Sequence, residues 1–85
     1  LAPTVARMAY DENAPADIKA LQPQLQTMAA LYDEFQSQLA RYSTPLDRDV
    51  KARKELGKRY AAQGDELFKA TPLKTLWGQM KVWQD

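Results

Sequence analysis

The stretch IKALQPQLQTMAALYDEFQSQLARY, residues 18–42, decides how this chain folds. Its apolar positions Ile18, Leu21, Leu25, Met28, Tyr32, Phe35, Leu39 and Tyr42 are separated by 3, 4, 3, 4, 3, 4 and 3 residues. That spacing lays one unbroken heptad seam along a helix, and no strand alternation reproduces it. Between the seam positions stand Gln22, Gln24, Gln26, Gln36, Gln38, Asp33 and Glu34, side chains suited to a wet face. Pro23 interrupts the pattern, because an internal proline loses a hydrogen bond and crowds the carbonyl four residues back. The expectation is a kink there, or a short turn over 15–21 before a main helix from 23 to 42.

Outward from this helix, Ser43-Thr44-Pro45-Leu46-Asp47 reads as a corner and a restart. The residue before a proline is pushed out of the helical region. Thr44 is then placed to cap a second helix, with Pro45 in its first turn and Asp47 near the positive end of the dipole. This helix is expected over 45–63, antiparallel to the first. Its inward stripe would be Leu46, Val50, Arg53, Leu56 or Gly57, Tyr60, Gly64 and Leu67, with Gly64 as a left-handed cap and a short turn at 66–70. Gly57, inside the helix, reads either as a close approach to a neighbour or as a tolerated surface glycine. Thr71-Pro72-Leu73 repeats the Thr44-Pro45-Leu46 device and opens a C-terminal amphipathic helix over 72–84. Leu73, Leu76, Trp77, Met80 and Trp83 share one side of it. Residues 1–14 show no full period and read as an extended N-terminal arm able to dock on a partner.

The fold class is therefore all-α: a helical hairpin (15–70), an arm (1–14) and a C-terminal helix (71–85). The seam offers eight apolar residues, and the second helix answers with fewer and smaller ones. Something else must cover the seam. The C-terminal helix can fold back and close a three-helix bundle, or project and place Trp77, Met80 and Trp83 in a partner's groove.

Composition narrows the chemistry. The 85 residues hold no cysteine and no histidine, so disulfides, ordinary zinc sites and the usual neutral-pH general base are unavailable. The three glycines are too scattered for a phosphate loop. No cofactor, metal, small-molecule substrate or catalytic activity is expected. Arg53 is the residue best suited to floor an anion pocket between helices, though its ordinary role would be to pair with a carboxylate across the hairpin and fix register.

The stretch from Arg48 to Arg59 has six basic and two acidic residues, a local +4, in a chain whose net charge is only +1. The acid-first pairs Asp47–Lys51, Asp49–Arg53 and Glu55–Arg59 are spaced to neutralise half of it. Nucleic acid is thus not the expected partner, and docking of the Trp/Lys tail on a membrane surface ranks third. No apolar run is long enough to span a bilayer. The expected function is a non-enzymatic interaction or structural subunit, bound to other protein chains or to itself through Leu73, Leu76, Trp77, Met80 and Trp83. A nucleic-acid or membrane-surface binder is the alternative. The compartment is not legible, and a first residue other than methionine leaves room for a removed targeting peptide.

Overall fold

In a computed structural model of the chain, residues 2–80 are described, with side chains from Val5 onward. Four α-helices follow one another: α1 Ala2–Tyr10, α2 Ala16–Leu39, α3 Asp47–Phe68 and α4 Lys74–Met80, with a 3-10 turn Ala40–Tyr42 tightening the end of α2. The residues read as an extended arm are α1. Val5 and Ala9, one turn apart, are fully buried, and Met8 packs beside them. A nine-residue helix is marginal alone, so α1 depends on its packing against α2. Two glutamines of α2 help to hold it. Gln22 donates to the carbonyls of Met8 (3.1 Å) and Asp11 (2.8 Å), and Gln26 donates to that of Ala9 (3.1 Å). The Met8 and Ala9 carbonyls lie in the last turn of α1, where carbonyls have no partner within the helix.

The helix α2 passes through Pro23 unbroken, as one element rather than a short turn followed by a helix. The Thr27 hydroxyl donates to the Pro23 carbonyl. Leu25, Met28 and Phe35 of the seam are buried, joined by Ala29 and Leu31. The return of α3 along α2 is antiparallel: Arg53 reaches the carbonyl of Tyr42, while Tyr60, further along, reaches Glu34 and Phe35.

The second helix differs from expectation at both ends. It continues through Gly64 to Phe68, and no glycine among the described residues has a positive φ. Gly64 is there for space, because an added Cβ would meet the six-membered ring of Trp77, 2.6 Å from Cη2 and closer still to Cζ2 and Cε2. With the helix extended, Phe68 is buried and Leu67 is turned outward, as is Leu46. Gly57 is buried.

Both Thr-Pro-Leu corners form the same local turn. The Thr44 hydroxyl accepts the N–H of Leu46 (3.4 Å), and the Thr71 hydroxyl accepts that of Leu73 (3.1 Å). Thr44 is thus not a direct cap; its hydroxyl donates to the carboxylate of Asp49 instead.

The second corner folds α4 back. Trp77 lies 1% exposed, donating its indole N–H to the Ala61 carbonyl (3.3 Å) and tilting against Phe68 with ring centroids 5.6 Å apart. One apolar cluster runs from Val5 to Met80. It is shallow. The Cα radius of gyration is 14.1 Å and the extents are 47 × 23 × 15 Å, against a radius of about 12 Å for a compact domain of this length.

Candidate functional site

Of the five residues expected to meet a partner, the four that are described face the chain's own core. Leu73, Trp77 and Met80 are buried in the chain's own core, and Leu76 is half-buried against it. Trp83 lies outside the described residues. Between the two fates open to the C-terminal helix, the described part folds back. The physical reason is Gly64, which lets the large ring of Trp77 sit against the backbone of α3.

Part of the apolar surface that stays open follows the seam of α2 into the 3-10 turn, while Tyr10, Leu46 and Leu67 are more exposed still. Ile18, Leu21, Tyr32, Leu39 and Tyr42 are all half-buried, packed on the core on one side and reached by solvent on the other. The 22-residue α3 packs along α2 without closing over these positions, and α1 has only nine residues.

At the far end of that seam, the corner between α2 and α3 holds an open depression. It measures about 520 Å³ and is lined by Gln36, Leu39, Ala40, Ser43, Thr44, Pro45 and Arg53. Arg53, on α3, is half-buried. Its Nη1 donates to the carbonyls of Tyr42 and Thr44, the latter at 2.9 Å. The expected pairing of Arg53 with a carboxylate is absent among the described residues. Asp49, one turn earlier, is instead turned inward at 8% exposure, held by the Thr44 hydroxyl and 3.7 Å from Arg48. The structure therefore brings Arg53, Leu39 and Ser43 together, a grouping that residue spacing did not suggest.

The remaining basic residues of α3, Arg48, Lys51, Lys54, Lys58 and Arg59, are exposed. The guanidinium of Arg59 lies over the ring of Tyr60, 5.5 Å from its centroid. The Tyr60 hydroxyl donates to Glu34 (2.8 Å). Burial raises the Tyr60 pKa above its ordinary value, the bond to Glu34 and its charge push the same way, and Arg59 opposes them. That tyrosine is a neutral structural donor.

Among the described residues no group of acidic side chains is placed to hold a metal ion, and no helix is long and apolar enough to cross a membrane. Comparison with family models, curated proteins and solved structures finds no match.

Proposed function

We propose that this chain is a non-enzymatic helical subunit that docks on other protein chains through the part-exposed side of the α2 seam. One observation carries the reading: five of the eight seam residues are left only partly buried after all four helices have packed. Apolar residues at strict heptad spacing fit an amphipathic helix of a partner, laid along the seam with its own apolar side inward. The rival, binding of nucleic acid or a membrane surface, has less support. Trp77 is inside the fold, and Arg53 is drawn off the basic face into the corner.

A photo-crosslinking side chain placed at Tyr32 or Leu39 should give the same covalent adduct in cells expressing the chain. At Ala62, exposed on α3, it should give none. Equal labelling at all three positions, or at none, would defeat the reading. An adduct of twice the chain mass would identify the partner as a second copy.

A further inference from the structure

From the α2–α3 corner we infer that Arg53 is a carboxylate receptor: the depression beside it takes an aspartate or glutamate side chain flanked by an aliphatic residue on the docking partner. This rests on the reading of the chain as an interaction subunit and names what that partner presents.

The guanidinium is fixed before any ligand arrives. Its Nη1 is tied to the Tyr42 and Thr44 carbonyls, which close the last turn after α2. Two backbone bonds hold a side chain that would otherwise lose considerable rotamer freedom on binding. Among the described residues, its Nε and Nη2 donors have no acceptor. Carbonyl dipoles also leave the formal charge in place, whereas an ion pair would cancel it. The acid at this corner, Asp49, is already engaged by Thr44 and Arg48. Between residues 41 and 53, four basic side chains (Arg41, Arg48, Lys51, Arg53) face two acidic ones, Asp47 and Asp49.

The remaining walls define the rest of the ligand. Leu39, Ala40 and Pro45 are apolar, while Gln36 and Ser43 can hydrogen-bond. A guanidinium with Nε and Nη2 still to satisfy, in a depression it lines together with apolar residues, suits a carboxylate, whose two oxygens accept parallel N–H bonds. Because Leu39 also belongs to the open seam, a partner helix lying there would bring its acidic side chain directly to the depression.

The test uses the whole chain and two capped dipeptides, N-acetyl-leucyl-glutamyl-amide and its glutaminyl counterpart, followed by NMR. The acidic probe should shift the Arg53 Nε–H resonance and the Ser43 and Thr44 amides saturably, with a Kd on the order of millimolar, as befits so small a ligand. The neutral probe should bind about tenfold more weakly, the value of a charge-assisted fork. Arg53→Lys should weaken the acidic probe several-fold, since it keeps the charge and loses the fork. The inference fails if both dipeptides bind alike, or if no saturable shift appears at the corner. Failure here with the position-specific crosslinks intact would leave the interaction reading standing. Loss of the crosslinks with dipeptide binding intact would remove that reading alone.

Discussion

The six-membered ring of Trp77 occupies the place that a Cβ at position 64 would need. Alanine favours a helix over glycine by about 1 kcal/mol, but over-packing a core costs typically about 1–3 kcal/mol. With three ring atoms in the way, Gly64→Ala should lower stability by up to about 2 kcal/mol net of that propensity gain. Gly78 is the control: it is exposed and an added Cβ meets nothing within 4 Å. Gly78→Ala should raise stability by up to about 1 kcal/mol. Urea titrations in a Trp83→Phe background would measure both, with Trp77 emission as the reporter. Equal responses would mean that α4 is not seated on Gly64.

Removing the ring itself is harsher. Trp77→Ala should cost about 3–5 kcal/mol, which matches the whole stability expected of a core this small. Circular dichroism should show extensive loss of helix. An intact spectrum would return Trp77 to the surface and to the role of partner anchor.

Tyr60 makes stability sensitive to alkali. Its folded pKa is raised above the ordinary 10.0, first by burial and then by Glu34. Its contribution is therefore complete below the unfolded value and declines as pH climbs through the higher folded one. Stability should fall above about pH 10, and Tyr60→Phe should remove part of that slope while losing about 1 kcal/mol at neutral pH for the bond to Glu34. Denaturant midpoints at several alkaline pH values would check it. An unchanged slope in the variant would place the titration elsewhere.

Pro23 is exposed inside α2. It withholds an N–H from the Lys19 carbonyl, at a typical cost of up to about 3 kcal/mol relative to alanine. Pro23→Ala should raise the melting temperature. A fall would mean that the pyrrolidine ring is itself making contacts that α2 needs.

Much of this architecture was legible because α2 writes its buried side at regular spacing: Leu25, Met28 and Phe35 lie inside, as the seam requires. The helix α1 was hidden because only two of its described residues, both modest in size, are fully buried. Val5 and Ala9 are too few and too slight to mark a period, and the glutamines that hold α1 look like solvated ones. Gly64 misled for a related reason. Near a helix end, glycine signals a left-handed cap, yet here its missing side chain admits a ring thirteen residues later in the chain. Arg53 stands out in the sequence as a charge on the inward stripe of α3, but its partners, two backbone carbonyls rather than the expected carboxylate, leave no trace in any spacing of charged residues.

The closures described are short along the chain. Thr71 bonds to a residue three positions back, Trp77 to one sixteen back, and Tyr60 to one twenty-six back. Helical proteins built from such near neighbours fold in microseconds to milliseconds. A core this thin must open often, since few layers have to part before water enters. Rapid re-closure would keep each opening brief, and proteases and aggregation would meet this chain as a target that is frequently exposed but seldom for long.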